Sequence, residues 1–557
     1  PLVSTNVKCL TVDNSGTIWI GFYGDGLFYS KDELKTLHPY ISPIDNEETY
    51  NNDVVSEILP GAYNCLYIGS LKGGVKELNL TSGKLRDLLL KDEDNESIYC
   101  RTLLFATDNE LWIGTESGAY IYNLRTGKYT HLRSSEYDPY SLSDNAIYSF
   151  CKDREDGIWI GSYFGGVNYY PRSYTHFEKY YPKGEENSLH GKRVREFCRD
   201  NYGVLWIGTE DGGLNRFNLN TKEFSFFAPS AGFTNIHGLC LVDDKLWVGT
   251  FSKGLKIIDT RTGTVLKTYQ KNSSPRSLID NSIFAICRTA TGDIYLGTMF
   301  GLVKYNKQSD DFDRIPELNG KFVYDIKEDS GGNIWLATYA NGAYCYNVND
   351  RKWKNYVHDE KDTTSLSYNK VSSIFEDSYH RIWLTTQGGG FCLFHPESET
   401  FTSYNSTDGL PSDVVYQIVE DKDGQLWLTT NNGLVYFQPK TETMKVYTTA
   451  NGLLGDQFNY RSSFEDENGM IYFGGIDGFI AFNPKSFSEN KNLPTVVITD
   501  FLLFNKEVYA DEPNSPLEKN ITFSDKIVLR ADQNSFSFRI SALGCQSPVM
   551  NKLMYKL

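Results

Sequence analysis

The sequence predicts an all-β protein of tandem β-propellers, and three observations carry the prediction. With 38 Tyr and 47 Gly against 5 Met in 557 residues, the chain has the make-up of strands joined by tight turns. One aromatic-centred unit recurs along almost the whole chain at intervals of 40 to 48 residues, the period of a four-stranded propeller blade. No apolar run reaches the ~18 residues of a membrane-spanning helix, and strand-like alternation dominates. The chain begins Pro1-Leu2-Val3, without a start Met or a signal peptide, as expected of a piece of a longer protein.

The clearest copy of the unit runs Asp200-Asn-Tyr-Gly203-Val-Leu-Trp206-Ile-Gly208-Thr-Glu-Asp-Gly212-Gly213-Leu214. Its anchor returns at Trp19, Tyr67, Trp112, Trp159, Trp206, Trp247, Tyr295, Trp335, Trp383, Trp427 and Tyr472, eleven copies that use eight of the nine Trp. Asp-x-x-Gly reads as a type I turn with Asp first and Gly last, so Asp421 and Asp466 are turn residues rather than metal ligands. Leu-Trp-Ile-Gly alternates as a strand whose Gly lets a neighbouring backbone approach. Thr-x-x-Gly-Gly makes a hairpin, Gly-Leu-x-x-Phe-Asn the next strand, and a turn such as Asn220-Thr-Lys leads to a fourth. Connections such as Tyr140-Ser-Leu-Ser-Asp-Asn145 and Thr364-Ser-Leu-Ser-Tyr-Asn369 then lead to the next inner strand. Parity places the Asp-x-x-Gly turns on one face, and the Thr-x-x-Gly hairpins with the Ser-Leu connections on the other.

Two copies end without a turn into a fourth strand: the one after Trp159, at Tyr170-Pro171-Arg-Ser-Tyr174, and the one after Tyr472, at Asn483-Pro484-Lys-Ser-Phe487. Both read as propeller exits, with seven copies from Trp206 to Tyr472 between them. The expected organisation is therefore residues 1–173 as four remaining blades of a first ring, and 174–490 as a complete seven-bladed ring. Segment 174–181 is expected to supply the missing outer strand of its last blade. Residues 491–557 are expected to form a β-sandwich cut before its final strands, with strands at Leu493–Phe501, Ile521–Leu529 and Asn534–Ile540.

Signals for chemistry are sparse. Lys plus Arg is 55 and Asp plus Glu 71, a net charge of −16 that argues against general nucleic-acid binding and against docking on an anionic membrane. Cys151, Cys198 and Cys287 lie eight residues before an anchor and Cys240 seven before one, where other repeats carry Val, Ile or Phe. They read as buried free thiols. There is no CxxC, no HExxH and no GxSxG among the ten Cys and eight His. The acidic run Asp92-Glu93-Asp94-Asn95-Glu96 lacks the glycine of a calcium loop and reads as a solvated loop. No catalytic residue, metal or cofactor is assigned.

The repeats, with Leu-Trp-Ile-Gly-Thr and the Ser-Leu-x-x-Asn connections, resemble the two-component regulator propeller repeat. The tail resembles the Tyr-rich immunoglobulin-like domain that follows such propellers, through Pro494–Phe501, Gln533–Phe538, Ser541–Leu543 and Tyr555–Leu557. Together they resemble the periplasmic sensor of a Bacteroidetes hybrid two-component system. That resemblance implies a region outside the cytoplasm that binds an oligosaccharide from polysaccharide breakdown, dimerises through the immunoglobulin-like domain, and signals through a membrane helix to a kinase and DNA-binding regulator absent here. The family pattern has two seven-bladed rings, so about three blades are missing at the start.

Two sets of residues are candidates for ligand contact. Lys192, Arg193 and Arg195, in the densest basic stretch, sit at the opening of the first blade of the second ring, and arginine forks suit carboxylate or sulfate groups. Tyr23, Tyr163, Phe164, Phe251, Phe300 and Tyr339 occupy the Thr-x-x-Gly hairpins on the same face, where rings stack on sugars or pack against the next blade. Trp353, outside the repeat, is expected on an outer strand. A sensor is the first reading; a propeller lyase or glycoside hydrolase, or a protein-interaction scaffold, are the alternatives, since fold alone does not choose.

Overall fold

A computed structural model of the chain describes residues 6–41, 53–171, 177–184, 187–227, 234–487 and 495–543, and almost all of its regular structure is β. Two compact units result: Tyr174–Glu489, and Pro1–Ser173 with Asn490–Leu557.

The unit Tyr174–Glu489 is a ring of seven four-stranded antiparallel sheets. Its inner strands are Val194–Arg199, Ile236–Val242, Ile283–Arg288, Val323–Glu328, Val371–Glu376, Val415–Glu420 and Phe458–Glu465, each packed on the next and the last on the first. The outer strand of the last blade is Glu178–Tyr180, paired antiparallel with Phe479–Phe482. Aromatic contacts seal the joint. The Tyr180 ring lies 4.5 Å from Phe479, and buried Phe177 meets Phe482 at 5.1 Å and Phe487 at 5.3 Å. Residues 174–176 of the expected closing strand lie outside the described residues.

The recurring pieces of the unit have visible physical jobs. Asp200 accepts the backbone N–H groups of Tyr202 and Val204 at 2.9 and 3.0 Å on one oxygen and the Trp206 indole N–H at 2.8 Å on the other. Asp13, Asp153, Asp329, Asp377 and Asp421 hold Trp19, Trp159, Trp335, Trp383 and Trp427 the same way, so the turn aspartate locks the anchor as well as the turn. A Cβ on Gly208 would stand 2.6 Å from the Ile236 side chain of the next blade, which is the close approach the sequence suggests. In the connections, Leu189, Leu278 and Leu366 are buried, and Asn281 and Asn369 accept the backbone N–H groups of Lys271 and His358. Trp353 sits on the outer strand Lys352–Tyr356, its ring 5.1 Å from Tyr346.

In the other unit, residues 6–171 build an arc of four sheets, the last of them three-stranded, with inner strands Val7–Val12, Val55–Pro60, Cys100–Thr107 and Ile147–Lys152. Trp19 and Trp112 are buried, but Trp159 in the last sheet is 36% exposed, beside exposed Cys151 and Val167. The expected burial of Cys151 is therefore corrected, because no described sheet covers that face. The other eight described cysteines are buried or partly buried, and all nine are free; Cys545 lies outside the described residues. Burial pushes the Cys240 and Cys287 thiols up to about 11, away from reactivity.

The described tail is a three-stranded sheet in which Thr495–Leu503 pairs with Lys506–Glu507 and Phe536–Leu543. The strand expected over Ile521–Leu529 does not form. A 3-10 turn, Ile521–Phe523, takes its start, with the Asn520 side chain accepting the Thr522 N–H and Ile521 buried near Phe501 and Leu517. An Asx cap offers the backbone a local alternative to a ladder.

Candidate functional site

One irregularity recurs in the ring's inner strands. In the first six the pairing register skips one residue, and the extra residues are Arg195, His237, Phe284, Tyr324, Ser372 and Tyr416. In the seventh the skip runs from Phe458 to Ser463 and frees Asn459, Tyr460, Arg461 and Ser462. Such bulges re-aim a side chain out of the strand's alternation. All six single bulge residues are buried.

These side chains meet one another although they come from different blades. His237 lies 4.8 Å from Phe284, Phe284 5.8 Å from Tyr324, Tyr324 5.6 Å from Tyr460, and Tyr460 4.7 Å from Tyr416, ring to ring. The Arg195 guanidinium covers Tyr460 at 4.9 Å, a cation–π contact. Arg461 reaches Glu196 at 3.5 Å, Asp325 at 2.9 Å and the Phe284 carbonyl at 2.8 Å, which joins the seventh blade to the first, fourth and third. Residues of so many inner strands meet only where those strands converge, at the ring's axis.

The cluster is polar, buried and incompletely satisfied. Arg195 is 1% exposed, with Asn459 at 3.5 Å and Glu210 at 3.8 Å, and its Nε and Nη2 have no partner among the described residues. His237 Nδ1 and Gln417 Oε1 are likewise unpartnered. Buried polar groups are nearly always paired, so these atoms have hydrogen-bonding capacity left for water or a ligand. Burial, reinforced by the Arg195 charge, holds the His237 imidazole down at about 2, so the ring is neutral. Burial pushes Glu196 up to about 8 against the pull of Arg461 and Arg195.

These two shifts predict the pH profile of stability. The native state keeps the Glu196 proton to about pH 8, whereas the unfolded chain releases it near 4.5. Its contribution is full below 4.5 and lost as pH rises toward 8. The native state refuses a proton on His237 that the unfolded chain takes below 6.5, so stability is lost as pH falls from 6.5 toward 2. The two slopes, ~1.4 kcal/mol per pH unit each, cancel between 4.5 and 6.5. Urea midpoints of Glu196→Gln should therefore be flatter than wild type from pH 6.5 to 8, and those of His237→Gln flatter below 4.5. Unchanged slopes would refute the assignment.

An outer aromatic layer flanks the cluster. Tyr339, 42% exposed, stacks on Phe322 at 5.5 Å and on Tyr324 at 5.7 Å, with the Lys370 ammonium 4.3 Å from its centroid. Phe251 lies 5.6 Å from His237. Of the residues singled out in the sequence, Arg195, Tyr339 and Phe251 thus come together. Lys192 and Arg193 do not join them. Lys192 is exposed, 3.8 Å from Asp477, and Asp211 accepts the backbone N–H groups of both. The basic run is therefore not one patch, because the bulge turns Arg195 inward. Phe300 is exposed at its hairpin.

Tyr163 and Phe164 belong to the arc. Tyr163 lies 5.1 Å from Tyr148 and 4.5 Å from Phe164, and Arg101 covers Tyr148 at 4.8 Å. Arg101 is a bulge residue, as Arg195 is, and each pairs with the Glu that follows its own hairpin Thr, Glu116 and Glu210. Tyr23 is exposed at the first hairpin of the arc. Reasoning from sequence missed His237, Tyr324, Tyr460, Arg461 and Glu196. The available signal was the polar pair Arg195-Glu196 inside an otherwise apolar inner strand.

Among the described residues no group of three or more His, Cys, Asp or Glu is placed to hold a metal ion. Asp421, a turn residue as expected, accepts from Asp423, Gln425 and Trp427.

The chain carries repeats of the two-component regulator propeller, matched at residues 141–164, 188–211, 317–340, 365–388 and 409–432. It is similar to histidine kinase P4 of Formosa agariphila, 28% identical over 332 residues that cover 57% of this chain and 24% of that protein. The chain thus spans about a quarter of that relative's length. Among solved structures it is similar to the extracellular domain of a hybrid two-component system of B. thetaiotaomicron, with 22% identity and a TM-score of 0.36, covering 97% of this chain and 84% of that one. It is also similar to PorZ of Porphyromonas gingivalis, a surface component of the type-IX secretion system, with 14% identity and a TM-score of 0.45, covering 96% and 79%. No helix among the described residues is long and apolar enough to cross a membrane, which leaves β-barrels unaddressed.

Proposed function

We propose that this chain is the sensing region of a two-component signalling protein and lies outside the cytoplasm. It binds an oligosaccharide released from a polysaccharide and relays that event to a kinase and regulator that control glycan-utilisation genes. The carrying observation is the axial cluster: a buried arginine with two unused donors over Tyr460, reached past the stacked rings of Tyr324, Phe322 and Tyr339. Aromatic faces take the apolar faces of sugar rings, and a site built of unpaired donors and acceptors discriminates by hydroxyl and acid groups. The propeller repeats and the similarity to a histidine kinase support the signalling half of the reading.

A thermal-shift screen against neutral and acidic oligosaccharides tests it. A ligand at ~100 times its dissociation constant should add ~2.7 kcal/mol of stability. Arg195→Ala and Tyr339→Ala should each abolish the shift, while Arg193→Ala, at an exposed position, should leave it unchanged. The ligand should be recovered intact; its degradation would make the chain an enzyme, and a shift that survives both substitutions would remove the axial site.

A further inference from the structure

A guanidinium can grip a carboxylate through the edge formed by its Nε–H and Nη2–H, which offers two parallel donors to two oxygens. Other arginines of this chain use that edge. Arg276 places Nε 2.5 Å and Nη2 2.8 Å from the two oxygens of Asp311. Arg101, at the matching bulge of the arc, turns the same two nitrogens onto Glu116. Arg195 does not. It directs Nη1 to Asn459 at 3.5 Å and Glu210 at 3.8 Å, while Nε and Nη2 stay buried and without a partner among the described residues. Tyr460 covers the face of the group, so the empty edge is what remains for another molecule.

The surroundings favour an anion at that edge over a neutral hydroxyl. Arg195, Arg461 and Lys370 are the cations that touch the cluster and its aromatic layer, and Asp325 and Glu210 are the carboxylates set against them. Burial keeps Glu196 protonated to about pH 8 and the His237 ring neutral, so neither alters the balance at neutral pH. Lys192 and Asp477, both exposed, pair with each other at 3.8 Å. Positive charge is thus in excess. Asp325 already belongs to Arg461 at 2.9 Å, and Lys370 lies over Tyr339 with no ion pair among the described residues. Burial also pulls the Arg195 guanidinium below its ordinary value, a cost that a bound anion offsets. Outward from Arg195, Tyr460, Tyr324 and Tyr339 form a row of rings whose exposed end is Tyr339.

Resting on the axial reading above, and narrowing it to one charge class, we propose that the axial site takes an acidic oligosaccharide. The free edge of Arg195 receives two oxygens of its oxyanion, a uronate carboxylate or a sulfate ester. The acidic unit lies innermost, and the sugars beyond it run along the tyrosine row toward Tyr339.

Calorimetric titration of the full chain with paired hexasaccharides tests this. The probes are galacturonate and mannuronate hexamers beside their methyl esters, and a sulfated galactan hexasaccharide beside its desulfated form. At least one acidic hexamer should bind, and masking its charge should weaken binding roughly ten- to a hundredfold, the worth of charge-assisted hydrogen bonds. The pair that shows the loss says whether the oxyanion is carboxylate or sulfate. Arg195→Lys keeps the charge but not the fork. It should weaken the acidic form by a similar factor and leave binding of the masked form unchanged. Equal binding of masked and unmasked forms, which wild-type protein alone reports, overturns the proposal. Equal weakening of both forms by Arg195→Lys also overturns it, since a purely structural arginine would act that way. A masked form that binds more tightly than its acidic partner, and is lost in Tyr339→Ala, overturns the acid class and leaves the axial site standing. Acidic binding that survives Arg195→Lys and Tyr339→Ala alike, or no binding by any probe, overturns both.

Discussion

Replacing Arg461 by methionine should destabilise the ring by about 3–5 kcal/mol, the cost of leaving a buried charge without its partner. Arg461 is the tie across the axis, 3.5 Å from Glu196 and 2.9 Å from Asp325, with its side chain 14% exposed. Methionine keeps most of the volume and deletes only the charge. Removal of the cation leaves two buried carboxyl groups without it. Glu196, whose affinity for a proton burial already raises, stays neutral; Asp325, 2.9 Å from Arg461, loses its charged partner. The loss should therefore shrink when Asp325→Asn is added, and a double substitution that is worse than the single one would count against the account. Arg461 also holds a φ of +49°, in the left-handed region that side chains rarely adopt. Methionine inherits that strain without the ion pairs that sustain it. Urea unfolding of the full chain, read as a shift in midpoint at constant slope, measures the effect.

Phe177→Ala should be nearly as costly, about 3–5 kcal/mol for a large aromatic truncated in a packed core. The reason is topological as much as local. Among the described residues the closing strand makes three residue pairs, Glu178 with Ala481, Lys179 with Ile480 and Tyr180 with Phe479. Three pairs of backbone contacts are a weak clasp, so its strength rests on the flanking rings of Phe177 and Tyr180. With Phe177 gone, the Phe479–Phe482 strand becomes an open edge. The variant should melt earlier, and hydrogen exchange should rise first in Phe479–Phe482 and Glu178–Tyr180 rather than uniformly. Uniform exchange would place the weak point elsewhere.

Much of the fold was legible because it is local. Within one repeat, the turn aspartate, the anchor, the hairpin threonine and the connection leucine all lie within a few tens of residues of one another, and eleven near-copies average out the noise of any single one. The missing fourth strand after Tyr472 and the unclaimed segment before Tyr180 pointed to each other for the same reason. The failures are equally physical. Cys151 has the sequence of a buried position, but burial belongs to whichever sheet lies against it. Ile521–Leu529 has strand composition, but Asn520 captures the backbone first.

The sequence by itself determined that this protein is made largely of repeated β-blades, and which residues supply each blade's turn and aromatic anchor. Only the tertiary structure decided the axis. Arg195, His237, Tyr324 and Tyr460 come from four different repeats, and each is turned inward by a bulge that breaks the period-two rule used to assign faces. The identity of a residue's neighbours across a closed ring is set by closure itself, an interaction between the two ends of a 300-residue segment that no single repeat encodes.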